Sequence, residues 1–321
     1  MATDQPNESQ HAPGLPDDIA ASIQMIRDDR EHGASWLARA AARTLLQAGE
    51  QHRDAPAGAW DAVMRVTAQA LVTARTSMAA VANSAARVWN AGQTSTPSTP
   101  SASRNALLAE AARLATEDDQ GQRALLAHAK KLLRGTVYTL SRSGTVERVL
   151  RELGQGHIIE RVIVAESRPG GEGVALGQAL ARAGLSVTLV ADAAYGDFIG
   201  EATGVALGAD SLRADGALVN KVGSYPLALV AQAAGKSVYV LCETLKIAAP
   251  DFPLELEEMD PAELLPDSGA TNRLSARNPY FDVTPASLIT AYITEEGILD
   301  RDAIARSAER AGAALARLRS G

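Results

Sequence analysis

The first 134 residues carry a helical pattern of apolar positions. Ile19, Ile23 and Ile26 recur at intervals of three to four residues, and an apolar run resumes after Gly33 in the stretch ASWLARAAARTLLQA. This periodicity predicts helices from residue 17 to about 49, interrupted at Gly33, and further helices over about 57–91 and 104–133. Residues 1–16 and 93–103 lack periodicity, so we expect a disordered tail and a flexible loop there.

From residue 136 the pattern changes to short apolar runs separated by helical or glycine-rich stretches. The runs are TVYTL, RVIVA, SVTLVA, GVALGA, GALVN and SVYVLC. Continuous apolar strands that alternate with helices are typical of a parallel sheet covered on both faces. The predicted fold class is therefore α/β, with a helical N-terminal domain (17–134) followed by a Rossmann-like parallel-sheet domain (135–321).

Each predicted strand runs into polar or charged residues. The carboxyl ends of parallel strands lie along one edge of an open sheet, and ligands bind in the crevice at that edge. The sequence therefore predicts a single cleft lined by Ser141, Arg168, Asp210, Asn220, Lys221 and Lys246.

The chemical types of these side chains indicate an anionic, hydroxylated ligand. Arg168 is suited to bind a phosphate through two N–H groups, and Lys221 and Lys246 would act as point charges. Asp210 and Asn220 could bind hydroxyls, or Asp210 could transfer a proton. Together with free N–H groups at glycine-rich helix starts, these residues are typical of a site for a phosphorylated sugar or nucleotide.

Several residues also have a purely structural interpretation. An Arg-Pro-Gly-Gly segment is most often a turn with a solvated arginine, and Asp192 is more simply a helix N-cap. Asp215-Gly216 is predicted to form a tight turn, and Cys242 to be a small buried apolar residue. His32 is equally a cap, a surface residue or a ligand contact. The coincidence of several polar side chains at strand ends favours a functional site.

Composition and charge narrow the class of protein. The net charge of −7 is unlike that of a nucleic-acid-binding surface, which needs clustered Lys and Arg. A single cysteine excludes an internal disulfide and a multi-cysteine metal site. The sequence has no signal peptide pattern, no apolar run long enough to span a membrane and no G-x-G-x-x-G motif. We therefore expect a cytoplasmic protein without a metal or a cofactor.

Four segments give the chain a resemblance to a known family. ESRPGGEG, GADSLRADGALVNKVGSYPLAL, YVLCETLK and NPYFDVTPASLITAYITEEG resemble the initiation-factor-2B alpha/beta/delta family, which also contains methylthioribose-1-phosphate and ribose-1,5-bisphosphate isomerases. The resemblance extends from about residue 20 to about 300, and HGASWLARAA and RTSM match more weakly. It implies a homodimer or a larger homo-oligomer. It also implies ligand contacts by Gly33, Ala34, Arg168, Asn220, Lys221 and Lys246.

The resemblance also implies a catalytic pair, with one departure. In the isomerases of this family, a cysteine in a Thr-His-Cys-Asn segment and the aspartate of Gly-Ala-Asp are the proposed catalytic residues. Asp210 matches the aspartate, whereas Ser141 stands at the position of the cysteine and Leu140 at that of the histidine. A serine needs an adjacent base to become nucleophilic, and losing one of two proton-transfer groups costs about 10²- to 10⁴-fold in rate.

Three hypotheses of function remain open at this point. The leading one is an initiation-factor-2B-alpha-like protein that binds a phosphorylated sugar or nucleotide and is regulatory or catalytically degenerate. The alternative is an active aldose–ketose isomerase, in which Asp210 shuttles the proton and Ser141 or a water replaces the thiol. The third is a scaffold that acts only through protein contacts.

Overall fold

The described residues that precede the first strand are mainly helical, as the periodicity predicts. The computed structural model describes residues 14–93, 99–116, 118–265 and 274–320. Before the first strand these residues form α1 (Asp17–Asp28), α2 (Ala34–Gln51), α3 (Ala57–Val72), α4 (Ala79–Gln93), α5 (Pro100–Ala115) and α6 (Asp119–Ala129). The predicted break at Gly33 is confirmed, since Gly33 directly precedes α2. Most of the predicted tail, residues 1–13, lies outside the described residues.

The prediction of one helix over 57–91 is wrong, because the chain leaves the helix between Val72 and Ala79. Arg75 lies in this interruption and is only 4% exposed. Its Nε lies 2.9 Å from a carboxylate oxygen of Glu257, and its guanidinium also donates to the carbonyl of Asp29. A buried guanidinium needs such partners, and these partners lie far away in the sequence.

The predicted flexible loop is shorter than 93–103. Residues 100–103 already belong to α5, because Thr99 accepts a hydrogen bond from the backbone N–H of Ala102 at 3.2 Å and Pro100 occupies the first helical turn. Both are favourable at a helix start. Residues 94–98 lie outside the described residues. The helix predicted over 104–133 is likewise divided, since Asp118 caps a separate helix, α6.

Strands and helices alternate from residue 135 onward. The elements are β1 (Gly135–Leu140), α7 (Gly144–Gln155), β2 (Ile159–Ala165), α8 (Glu172–Arg182), β3 (Ser186–Val190), α9 (Tyr195–Phe198), β4 (Gly204–Leu207), β5 (Ser211–Leu212), β6 (Leu218–Lys221), α10 (Ser224–Ala233), β7 (Ser237–Leu241), β8 (Phe281–Thr284), β9 (Ala291–Ile293), β10 (Ile298–Leu299) and α11 (Arg301–Ser320). The change from helices to strands falls between Ala129 and Gly135. The division into two domains at residue 134 stays a prediction.

Within the described ranges the main sheet has seven strands, in the order β10-β9-β7-β4-β1-β2-β3. Its strands are parallel except β10, which pairs antiparallel with β9. All four residues of β4 are buried, which agrees with a strand covered on both faces. The predicted fold class, helices followed by a mostly parallel sheet, is confirmed.

The segment GALVN does not join this sheet, so the prediction that Asn220 and Lys221 end a parallel strand is wrong. It forms β6, which lies between β5 and β8 in a separate antiparallel sheet. The reason is the turn before it, in which Gly216 adopts φ 85° and Asp215 accepts a hydrogen bond from the N–H of Ala217. A tight turn returns the chain antiparallel, because a parallel neighbour requires a long crossover.

The C-terminal helix joins the two parts of the molecule. Leu315 and Leu318 of α11 are buried in the same apolar cluster as α2, α3 and α4. Phe252, which follows β7 in the chain, also belongs to that cluster. The helical part and the sheet part are therefore packed against each other, and the edge of the sheet faces the start of α2.

The first turn of α8 lies directly against the end of β2. A Cβ atom at Gly173 would lie 1.8 Å from the carbonyl oxygen of Ala165, whereas one at Gly177 would lie 3.6 Å from its nearest neighbour. We expect Gly173→Ala to lower the free energy of unfolding by about 2 kcal/mol or more through overpacking. Gly177→Ala in the same helix should be neutral or stabilising by up to about 1 kcal/mol. Urea unfolding of both variants checks this, and equal effects would contradict the packing described.

Candidate functional site

A cavity of about 600 Å³ lies where the start of α2 meets the edge of the sheet. Such a volume is within the range of about 300–1,000 Å³ that is typical of small-molecule sites. Eight of the 31 Lys and Arg residues line it, although the chain as a whole is acidic. Of the residues predicted from the sequence, the structure brings to this cavity Gly33, Ala34, Ser141, Asp210, Asn220, Lys221 and Lys246.

Two long helices begin at the wall of the cavity. α2 starts with Ala34 directly after Gly33, and α7 starts with Gly144 after Ser143, whose hydroxyl accepts from a backbone N–H of the first turn. The first N–H groups of a helix have no partner within the helix and carry a partial positive charge. Both helix starts are therefore suited to an anion such as a phosphate.

Asp210 is a carboxyl of the cavity wall at the end of a strand of the main sheet. Among the described contacts, no arginine or lysine is bound directly to its side chain. It comes three residues after β4, and its backbone N–H donates to the carbonyl of Val219 at 3.0 Å. Burial raises the pKa of Asp210 to about 6, although the nearby charges of Lys246 and Arg75 act in the opposite direction. A carboxyl of this kind exchanges a proton near neutral pH.

Lys221 is held in the wall of the cavity by two groups. Its Nζ donates to an oxygen of Glu172 at 3.0 Å and lies 3.6 Å from the centre of the Tyr280 ring. The Tyr280 hydroxyl donates to the same oxygen of Glu172. Burial lowers the pKa of Lys221, whereas the pairing with Glu172 acts to raise it. Asn220 is buried beside Lys221, and its Nδ2 donates to Ser224 Oγ at 2.8 Å.

Lys246 and Arg75 are paired in the same way. The Nζ of Lys246, a residue that is 4% exposed, lies 3.5 Å from an oxygen of Glu243. Arg75 forms two contacts with Glu257, through Nε at 2.9 Å and a terminal nitrogen at 3.0 Å. Each of these buried cations thus has its own carboxylate partner in the cavity wall.

The sequence alone singled out none of the carboxylates that hold these cations. Glu172, Glu243 and Glu257 each line the cavity, together with Arg75 and Tyr280. Glu172 and Glu257 lie 49 and 182 residues from their partners, so no local spacing reveals these two pairs. The weak RTSM resemblance was the available signal for Arg75, and Glu243 stands beside Lys246 in the segment YVLCETLK.

Ser141 lies at the end of β1 and lines the cavity. It adopts φ 58°, and its backbone N–H donates to Ser167 Oγ at 2.6 Å. Leu140 and Arg142 are its neighbours in the chain, so no imidazole stands next to it in sequence. Its hydroxyl is placed to form hydrogen bonds in the cavity, but it lacks the adjacent base that a nucleophilic serine needs.

Arg168 is the predicted ligand contact that the structure does not bring to the cavity. Its side chain is exposed and is not part of the lining. The backbone N–H groups of Ser167 and Arg168 donate to the two carboxylate oxygens of Asp192 at 2.8 and 2.6 Å. These bonds hold the turn toward the edge strand β3, whereas Ser141, Asp210 and Lys246 follow strands on the other side of β2. Asp192 therefore anchors this loop instead of capping a helix.

The structural interpretation of Cys242 is confirmed. The side chain is fully buried within the apolar cluster of the sheet, and burial raises the pKa of its thiol. A thiol with a raised pKa is a poor nucleophile. His32, in contrast, lines the cavity, where it stacks on Trp36 with 3.8 Å between ring centroids and its Nδ1 lies 2.7 Å from Asp29.

Comparison with known proteins identifies the family from most of the chain. A model of the initiation factor 2 subunit family matches residues 30–301. The chain belongs to this family. The match confirms the resemblance that the segments ESRPGGEG and YVLCETLK indicate. It covers the residues that line the cavity.

Similar proteins are named either as sugar-phosphate isomerases or as translation initiation factors. Ribose 1,5-bisphosphate isomerase of Archaeoglobus fulgidus is 31% identical over 288 residues, which are 88% of this chain and 90% of the relative. Methylthioribose-1-phosphate isomerase of Syntrophotalea carbinolica is 34% identical over 216 residues, 61% of this chain and 63% of the relative. The crystal structure of translation initiation factor eIF-2B of Pyrococcus horikoshii OT3 superimposes with a TM-score of 0.73 at 28% identity, covering 90% of this chain and 100% of that one.

The raised pKa of Asp210 should make the free energy of unfolding depend on pH. Because Asp210 binds its proton more tightly in the folded than in the unfolded chain, the wild type loses stability as pH rises from about 4 to about 6. We expect the free energy of unfolding of Asp210→Asn, relative to wild type, to increase by about 2–3 kcal/mol between pH 4 and pH 7. Urea unfolding of both proteins at several pH values measures this difference between variant and wild type. The contributions of other titrating groups are the same in both proteins and cancel. A difference that does not vary with pH would show that Asp210 titrates normally.

Proposed function

We propose that this chain is an aldose–ketose isomerase that acts on a phosphorylated pentose of the ribose 1-phosphate type. The observation that carries the proposal is Asp210, a carboxyl with its pKa raised to about 6 at the wall of a cavity rich in cations. The names of the two relatives, both sugar-phosphate isomerases, support the same reaction class. This reverses the order of the two leading hypotheses drawn from the sequence.

The chemistry of such a conversion needs one proton donor and one proton acceptor. The ring oxygen takes up a proton as its bond to C1 breaks, a hydrogen moves with its electron pair from C2 to C1, and the C2 hydroxyl releases its proton to become a carbonyl. No proton is gained or lost overall. A single carboxyl that starts protonated can therefore serve both steps, and a pKa of about 6 suits both.

The phosphate end of the substrate has a separate set of candidate contacts. The helix starts at Gly33–Ala34 and at Gly144 offer backbone N–H groups, and Lys221 and Lys246 offer positive charge at the same cavity. Asn220 is the candidate partner for a sugar hydroxyl. Arg168 has no part in the proposal, because its side chain lies outside the lining.

A second candidate function, binding of the same ligand without turnover, is favoured by Ser141. The resemblance places a cysteine at this position in the isomerases, and a hydroxyl gives up its proton far less readily than a thiol. A regulatory protein would keep the contacts for phosphate and lose the second proton-transfer group. In the isomerase, Ser141 or a water bound to it takes the place of the thiol.

Turnover of ribose 1,5-bisphosphate and methylthioribose 1-phosphate separates the two candidates. We expect the wild type to produce the corresponding ketose, and Asp210→Asn to lose about 10²-fold or more of this activity, because the amide cannot exchange the proton. Calorimetry on the same samples should show that Asp210→Asn still binds the ligand. Binding by the wild type without any product would contradict the isomerase and support the regulatory protein.

Restoring the thiol tests how far Ser141 limits the reaction. We expect Ser141→Cys to raise kcat by about tenfold or more, because a thiol supplies a more acidic group at the same place. Ser143→Cys, two residues further along and at the cap of α7, provides a matched control that should bring no gain. If Ser141→Cys were no faster than wild type, the hydroxyl at this position would not limit the reaction.

The homo-oligomer and the cytoplasmic location stay predictions. No helix in the described part of the chain is long and apolar enough to cross a membrane. Sedimentation of the purified protein measures the size of the assembly.

A further inference from the structure

Glu243 contacts three polar side chains of the cavity wall in addition to Lys246. One carboxylate oxygen accepts from Ser35 Oγ at 3.0 Å and lies 3.5 Å from the Lys246 ammonium. The other oxygen accepts from Gln122 Nε2 at 2.8 Å and from Thr145 Oγ1 at 3.1 Å. Both oxygens are thus occupied by the protein itself, so Glu243 is not a free base for a substrate.

The partners of Glu243 come from four different elements. Ser35 is the second residue of α2 and Thr145 the second residue of α7, the two helices whose starts line the cavity. Gln122 belongs to α6, and Lys246 ends the short turn after β7. One carboxylate therefore joins the helical part to the sheet part at the point where ligand-binding groups converge.

The charge of Glu243 fits this role. Burial acts to raise its pKa, but Lys246 and the hydrogen bonds hold the pKa of Glu243 below its ordinary value, so the group is ionised at neutral pH. An anion near two helix starts is stabilised by their N–H dipoles. A neutral glutamine would offer one acceptor oxygen in place of two, without a negative charge, and would leave the ammonium of Lys246 without its counter-charge.

We propose that Glu243 is a positioning residue, which fixes the starts of α2 and α7 and the ammonium of Lys246 around the substrate. This inference rests on the proposed isomerase function and adds to it a residue that does not touch the substrate. Glu243 acts on the reaction through Lys246, because Lys246 is the strongest of the charges that favour ionisation of Asp210.

Removing the charge of Glu243 should lower the pKa of Asp210. The charged groups that face Asp210 are Lys246, Arg75, Glu257 and Lys221, and Glu243 itself faces Lys246 and Glu295. Removing the negative charge of Glu243 leaves the positive charge of Lys246 uncompensated. Asp210 then ionises more easily, so the limb of the pH–rate profile that reports Asp210 moves to lower pH.

Glu243→Gln is the direct test, and Glu295→Gln is its matched control. Glu295 accepts hydrogen bonds from the backbone N–H and hydroxyl of Thr244, in the same turn as Lys246, but does not line the main cavity. We expect Glu243→Gln to lower kcat/KM at least about tenfold and to shift the pH limb downward by about half a unit or more. Glu295→Gln should leave kcat/KM within about twofold and the limb unmoved. Equal effects of the two variants would overturn the proposal.

A second measurement does not depend on turnover. Amide hydrogen exchange at residues 36–38 and 146–148, where the bonded N–H groups of the two helices begin, should be at least about tenfold faster in Glu243→Gln than in wild type or Glu295→Gln, because both helix starts lose a hydrogen bond to a charged acceptor. Thr145→Val, which removes a single contact, should speed exchange only at 146–148. If the wild type converts no sugar phosphate, the proposed function fails while these rates still decide the role of Glu243. Unchanged exchange in Glu243→Gln would refute that role.

Discussion

The site depends on the partial burial of one carboxyl, Asp210, among charges that are already paired. Three buried cations, Arg75, Lys221 and Lys246, each contact a carboxylate of the cavity wall. Without their carboxylate partners these cations would lower the pKa of Asp210 further, and without the cations burial would raise it further. Their pairing leaves a moderate positive influence, so the pKa of Asp210 settles at about 6. The proton-transfer role proposed for Asp210 rests on that balance.

The balance requires residues from distant parts of the chain. Arg75 comes from the interruption between α3 and α4, Lys221 from the antiparallel hairpin, and Lys246 from the turn after β7. The packing of α11 against the N-terminal helices and the four contacts of Glu243 hold these parts together. A site assembled in this way is costly for the fold, since a partly buried carboxyl with a raised pKa destabilises the folded state at neutral pH. Active sites commonly show this conflict between stability and activity.

The sequence predicted the fold class and much of the site. The structure corrects part of the reasoning, because not every predicted strand joins the parallel sheet. Apolar runs that end in polar residues correctly placed Ser141, Asp210 and Lys246 at one edge of the sheet, because that edge is a property of parallel strands. Asn220 and Lys221 reach the same cavity through a hairpin. The Asp215-Gly216 turn indicates this hairpin, whereas the pattern of apolar runs does not distinguish it from a parallel strand.

The remaining differences arise from contacts between residues far apart in the chain. Arg168 was predicted as a phosphate ligand, but Asp192 anchors its loop toward the edge strand. Nothing in the local sequence of either residue shows that bond. Glu172 and Glu257 contact their cations across 49 and 182 residues, and such pairs become visible only when the chain is folded.

The central claim is that Asp210 exchanges a proton near neutral pH. Carbon-13 NMR of the aspartate side-chain carboxyls, with Asp210→Asn used to assign the signal, measures this directly. The account predicts a titration midpoint for Asp210 of about 6. A midpoint at or below about 4, the ordinary value of an exposed aspartate, would contradict it.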